Sequence, residues 1–224
     1  MKKGEGASGF SEDYWEANYS RPSEMDGMGN AKSHAEYIRA LFALEQVDIS
    51  SVVDLGFGLG ELFREVLHTF IPYRAHGIEP STFAFEKVKA MRDLRPVEST
   101  RLRLEQLDMV TWCEKSQRPK KPKWFDLGIC NSVFQYLTQE ELEFILPILS
   151  RQVKYLYLTV PTDRELKRQK EELEFFDSYA IRRSRTRYQK LLRPHFTFLS
   201  GRVLESRFHF DEESTSFTDL LYRF

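Results

Sequence analysis

The sequence predicts an α/β fold of three layers, a mostly parallel sheet between helices with an antiparallel hairpin closing it at the C-terminus. Three observations predict it. Short apolar runs alternate with amphipathic helical stretches from about residue 50 onward. A glycine-rich turn joins the first apolar run directly to the first of those helices. The last part of the chain turns to strand-forming residues with no helix between them, as an antiparallel hairpin requires.

The first strand and turn read Val52-Val-Asp-Leu-Gly-Phe-Gly-Leu-Gly60, and Leu62, Phe63, Val66, Leu67 and Phe70 then fall on one helical face. Gly56, Gly58 and Gly60 let the backbone turn tightly and approach a ligand, with the amides of the helix start pointing into the notch. A dinucleotide site needs Gly-x-Gly-x-x-Gly, whereas here the glycines alternate and position 61 is Glu, which disfavours a pyrophosphate. Asp54 lies inside an otherwise apolar strand, where a carboxylate is costly unless it meets a cation or donors.

Ala75 to Glu79 reads as the second strand, and Pro80-Ser81-Thr82 opens a helix with a hydroxyl cap. Glu79 stands about 20 residues beyond the glycine turn, where nucleotide-binding α/β folds place an acid that accepts from ribose hydroxyls. Leu102 to Leu107 is the third strand, followed by Asp108-Met109; Trp124 to Cys130 is the fourth, delivering Asn131 to Leu137. Gln139 to Leu149 is a helix that Pro147 bends or shortens. Val153 to Val160 is the fifth strand. Phe196–Phe208, with a bulge at Gly201, and Ser216–Tyr222 are expected to pair as the closing hairpin around Asp211-Glu-Glu-Ser.

This order of motifs resembles the class I S-adenosylmethionine-dependent methyltransferases over roughly residues 50–224. The resemblance implies a Rossmann-like seven-stranded sheet with a C-terminal antiparallel hairpin, and S-adenosyl-L-methionine as cofactor. It implies that Asp54 serves the methionine end, that Gly56, Gly58 and Gly60 lie against sugar and methionine, and that Glu79 takes the ribose. Asp108 would accept from the adenine amine while Met109 covers the ring, a pairing of acceptor with donor and thioether with aromatic face. Asn131 completes the set at the end of the fourth strand. The amino-group DNA-methylating branch carries Asn or Asp, Pro-Pro and an aromatic here; Asn131-Ser-Val-Phe134 does not match it, which disfavours nucleic-acid bases as acceptors.

Composition fits a single domain: 224 residues, 41% hydrophobic and 30% charged, exclude a disordered chain. A net charge of -1 gives no global pull toward polyanions or anionic membranes. Two cysteines, Cys113 and Cys130, supply neither a disulfide framework nor a metal cluster, and no apolar run of membrane-spanning length occurs, so a cytoplasmic protein without a metal is expected. Residues 1–30 are expected to form a flexible arm or lid carrying Tyr14, Trp15 and Tyr19, and 31–224 a single domain. A helix over Ala31 to Glu45 buries Ala35, Ile38, Leu41 and Phe42.

The connection over 162–195 is too long for one crossover helix, so two helices, Arg164–Phe176 and Ala180–Leu192, are expected as an insertion roofing the acceptor side. Asp177, Tyr179, Arg182, Arg183 and Tyr188 are its candidate pocket residues, with Tyr14 and Tyr19 of the arm as further substrate candidates, the arginines suiting an acceptor with a carboxylate or phosphate. Arginines along 182–193 read equally as a solvated face paired with Glu171, Glu172 and Glu174. Methyl transfer by in-line displacement needs positioning more than a base; Tyr136 and His34 are the only candidates for one. Two other classes share parts of this pattern. A non-catalytic cofactor- or RNA-binding Rossmann-like module would use the arginine run, and an NAD-dependent oxidoreductase would share the first strand and Glu79.

Overall fold

A computed structural model describes residues 10–12, 15, 28–117, 124–172 and 177–218. Tyr14, Tyr19, the basic loop over 118–123 and the last six residues lie outside the described set. The elements in order are α1 (Ala31–Leu44), β1 (Ser51–Leu55), α2 (Glu61–Phe70), β2 (Arg74–Ile78), α3 (Thr82–Lys89), β3 (Arg101–Glu105), α4 (Met109–Ser116), β4 (Phe125–Asn131), α5 (Gln139–Gln152), β5 (Val153–Thr159), α6 (Asp163–Glu172), α7 (Arg185–Leu192), β6 (Phe196–Phe198) and β7 (Val203–Ser206). A 3₁₀ turn, Phe134–Tyr136, follows β4.

One seven-stranded sheet holds them in the order β3-β2-β1-β4-β5-β7-β6. β1 pairs in parallel with β2 and β4, β2 with β3 and β4 with β5, while β7 runs antiparallel to β5 and β6. This is the Rossmann-like fold of class I methyltransferases. The chain order reverses between β1 and β4, which opens the crevice at the strands' C-terminal ends where open α/β sheets bind ligands.

The two faces of the sheet carry separate cores, so each strand alternates between them. Val52, Leu127, Ile129, Tyr155 and Tyr157 face α1 and α2, meeting Ala35, Ile38, Phe42, Phe63, Val66 and Leu67. Val53, Leu55, Cys130, Leu156 and Leu158 face α4, α5 and α7. At the opposite end from the crevice, Asp126 joins three strands: its carboxylate accepts from Ser50 N, Ser50 Oγ, Ser51 Oγ and Lys154 Nζ at 2.8–3.1 Å. Burial pushes this carboxyl up, but the bonds from Lys154 and the serines outweigh it and hold it below its ordinary value.

Three expectations are corrected. The helix expected over Gln139 to Leu149 runs on to Gln152 as α5, so Pro147 does not shorten it; a capping box of Thr138 and Glu141 fixes its start, and Pro147 removes only one amide from the ladder. The closing hairpin turns at residues 199–202 rather than at Asp211: the stretch expected as one bulged strand is β6, a turn and β7, because Ser200 Oγ accepts from the amides of both Arg202 and Val203. Ser216–Thr218 are not strand, and the remainder of that expected strand lies outside the described residues. α7 begins only at Arg185, capped by Ser184, since residues 181–183 use their backbone elsewhere: Ile181 N donates to Gln135 O and Asp163 N to Arg183 O.

Gly60 opens α2 at φ +82, and a Cβ there would sit 2.7 Å from Val88 Cγ2 of α3. Both left-handed strain and collision with a buried methyl oppose any side chain. Gly60→Ala should therefore lower unfolding free energy by about 1–3 kcal/mol. Gly201→Ala, where nothing lies within 4 Å, should cost far less, as denaturant melts of the two variants would measure.

Candidate active site

β1 delivers Asp54 and β2 ends just before Glu79, which places two buried carboxylates side by side at the mouth of the crevice. Asp54 is 2% exposed and receives no hydrogen bond from the described residues. Burial first, then the neighbouring charge of Glu79, pushes its carboxyl well above the ordinary range. Glu79 is 4% exposed; Gly58 N donates to its Oε2 and Ser81 N to its Oε1, both at 2.9 Å. Burial nevertheless dominates and lifts it to about 7, the two amides pulling the other way.

The glycine turn explains how Glu79 is reached. Gly56 N and Phe57 N both donate to Ile78 O, folding the loop over the end of β2, and Gly58 adopts φ +54 to aim its amide at the carboxylate. Only a residue without Cβ adopts that backbone readily. Trp15 packs over this loop: it is 7% exposed and its ring stands 3.3 Å from where a Cβ on Gly58 would lie. Trp15 Nε1 donates to Ser81 Oγ at 2.9 Å, and Ser81 Oγ donates to Phe10 O at 3.0 Å. Ser81 thus holds Glu79 through its amide and the arm through its hydroxyl.

The opposite wall comes from the segment after β4. Thr159 Oγ1 donates to Asn131 Oδ1 at 2.5 Å across the β4–β5 pair. Ser132 follows with φ +56, a conformation costly for a non-glycine residue and tied down by Ser132 N donating to Thr159 O. Val133 reaches the glycine turn, its Cγ2 2.7 Å from a Cβ on Gly56. Tyr136 Oη donates to Asp177 Oδ2 at 2.6 Å, and Asp177 Oδ1 accepts from Tyr179 N at 3.0 Å. Phe10 packs edge-on against Tyr136 and Tyr179, with centroids 4.8 and 6.1 Å away.

Other residues expected from the sequence sit differently. Asp108 caps α4, its two oxygens accepting from Thr111 N and Thr111 Oγ1, each at 2.8 Å. Met109 is 3% exposed inside the core under α4; beside Asp108, the half-buried apolar residues are Leu107 and Val110. Arg183 is buried, its guanidinium donating to Phe134 O and Leu137 O and leaving Arg182 alone exposed. His34 is buried beneath β5, paired at Nδ1 with Tyr157 Oη at 2.5 Å and beside Arg202. Phe10, Ser81, Gln135 and Thr159 were not singled out as site residues; a polar stretch carrying lone aromatics was the sole signal for the arm.

No family model matches the chain, and no curated protein matches its sequence. Solved structures match its fold. The plantazolicin methyltransferase BpumL in complex with S-adenosylhomocysteine is 16% identical, with a TM-score of 0.64 over 86% of this chain and 74% of that one. Magnesium protoporphyrin IX methyltransferase (ChlM) from Synechocystis PCC 6803, also with bound S-adenosylhomocysteine, is 15% identical, with a TM-score of 0.55 over 90% and 94%. An S-adenosylmethionine-dependent methyltransferase from Clostridium acetobutylicum ATCC 824 is 16% identical at a TM-score of 0.51; the match covers 71% of this chain and spans 59% of that protein's length. Among the described residues no helix is long and apolar enough to cross a membrane.

The raised carboxyl of Glu79 gives a pH signature. Its folded value of about 7 lies above the ordinary 4.5, so between the two the unfolded chain ionises first. The stability associated with this group is complete below about 4.5 and is lost as pH rises through about 7. Glu79→Gln should gain on the wild type across that window by on the order of 2–3 kcal/mol, read from urea melts at pH 5 and 8.

Proposed function

We propose that this protein is a methyltransferase that uses S-adenosylmethionine to methylate a small molecule. The observation that carries this is the carboxylate pair. Asp54 and Glu79 are buried together with no described cation to offset them, and a ligand bearing positive charge and hydroxyl donors supplies what both lack. S-adenosylmethionine has an ammonium, a sulfonium and two ribose hydroxyls. A nicotinamide dinucleotide brings a pyrophosphate instead, toward a turn whose helix begins with Glu61.

In this proposal Asp54 takes the ammonium end, while the loop of Gly56, Gly58 and Gly60 lies along methionine and sugar. Glu79 keeps its amide donors and accepts the ribose hydroxyls. Asp108 closes the adenine end, with Leu107 and Val110 as the nearby apolar surface beside Met109, and Asn131 borders the reacting centre. S-adenosylmethionine, when bound, supplies a methyl group already activated on sulfur. The protein's contribution is then to align the acceptor behind that methyl and exclude water, and no base is required for the reaction class. Tyr136 remains the residue placed to touch an acceptor; His34 is committed to Tyr157.

Residues 1–30 act in this scheme as a lid over one domain spanning 31–224, with the 162–195 segment as the insertion on the acceptor side. The contacts of Phe10 and Trp15 with Tyr136, Tyr179 and Ser81 support that role.

Titration calorimetry tests the proposal. Wild type should bind S-adenosylmethionine and S-adenosylhomocysteine but not NAD. Asp54→Ala should weaken the first by at least tenfold, and Gly58→Val should abolish binding of both by pushing a branched side chain into the Trp15 contact. Near-native affinity in both variants, or binding of NAD alone, overturns it.

A further inference from the structure

On the acceptor side the structure gathers one carboxylate and three aromatic rings from distant parts of the chain. Asp177 comes from the segment before α7, Tyr136 from the turn after β4, Tyr179 from two residues beyond Asp177, and Phe10 from the N-terminal arm. Two ties place this cluster beside the cofactor notch. Phe10 O accepts from Ser81 Oγ, whose own amide holds Glu79. Tyr136 follows Val133, whose methyl abuts Gly56.

We infer that the methyl acceptor is an amine, held as an organic ammonium by Asp177 within the rings of Phe10, Tyr136 and Tyr179; this rests on the methyltransferase reading above. A carboxylate with aromatic rings close by suits an ammonium, since a ring face attracts a cation while the carboxylate neutralises its charge. Each Asp177 oxygen accepts one protein donor, Tyr136 Oη or Tyr179 N, and keeps a further lone pair for an N–H. An acidic acceptor meets the reverse situation. Asp177 repels it, and of the two guanidiniums expected to bind it, Arg183 is spent on the carbonyls of Phe134 and Leu137 while Arg182 lies exposed.

The transfer step balances without another reactant. The bound ammonium first gives one proton to water, leaving a neutral amine. The nitrogen lone pair then forms the N–CH₃ bond as the S–CH₃ bond breaks, both electrons of that bond going to sulfur. The products are the N-methylated ammonium and S-adenosylhomocysteine, the positive charge having moved from sulfur to nitrogen.

The experiment uses the whole chain with S-adenosylmethionine labelled in its methyl group and a small-molecule extract separated by ion exchange into basic, acidic and neutral pools. Label should enter the basic pool, and Asp177→Asn should reduce it at least tenfold with unchanged affinity for S-adenosylhomocysteine. Tyr136→Phe, which keeps the ring and the carboxylate, should retain the preference for the basic pool. In a second readout, calorimetry on protein saturated with S-adenosylhomocysteine should show benzylamine binding at least tenfold more tightly than benzoate, a difference that Asp177→Asn removes. Label confined to the acidic or neutral pool overturns the amine assignment and leaves the methyltransferase reading standing. So does benzoate binding as tightly as benzylamine, neither binding, or equal loss of transfer in Asp177→Asn and Tyr136→Phe. Failure to bind S-adenosylhomocysteine, or label in no pool, overturns the methyltransferase reading itself.

Discussion

Two carboxylates buried at the ends of adjacent parallel strands are the constraint around which the rest of the site is arranged. Charges removed from water need donors or cations nearby, and among the described residues the donors to this pair are two amides, both to Glu79. Delivering the first requires the turn at Gly58 to take a left-handed backbone; delivering the second fixes Ser81 at the start of α3. Ser81 then has its hydroxyl left to hold the arm through Trp15 and Phe10. The arm reaches the acceptor-side rings from there. A chain of short-range requirements thus runs from the carboxylates to the far wall of the crevice.

The sheet and the glycine turn were legible in the sequence because they rest on local signals. Strands β1, β2, β4 and β5 are short apolar runs bounded by turns, and the three alternating glycines stand where the backbone has positive φ. What failed depends on contacts between distant residues. The hairpin turn at 199–202 is set by one serine hydroxyl rather than by a glycine-rich or acidic turn, so composition pointed to Asp211 instead. Arg183 looks like its exposed neighbour in sequence, and only tertiary placement brings the carbonyls of Phe134 and Leu137 within its reach. His34 reads as the polar start of a helix until Tyr157 is found beneath it.

These same contacts bear on the rival classes. An RNA-binding module would present the arginines of 182–193 as one basic face, yet Arg183 is internal and Arg187 donates to Gln139 Oε1. A nicotinamide dinucleotide would bring its pyrophosphate toward the buried carboxyls of Asp54 and Glu79 and a helix start that itself carries Glu61. The wall after β4 is of a different character, with the rings of Phe10, Tyr136 and Tyr179 close to the Asp177 carboxylate. Two buried carboxyls beside such a wall would suit the proposed joining of two ligands, one held by charge and hydroxyls and one by its nitrogen.

A crystal structure of the protein with S-adenosylhomocysteine tests the central claim most directly. The account predicts density in the crevice between β1 and β4, with both ribose hydroxyls within hydrogen-bond distance of Glu79 and the amino group facing Asp54. Density elsewhere on the molecule, or a ligand in the crevice whose ribose and amino group avoid both carboxylates, would contradict it.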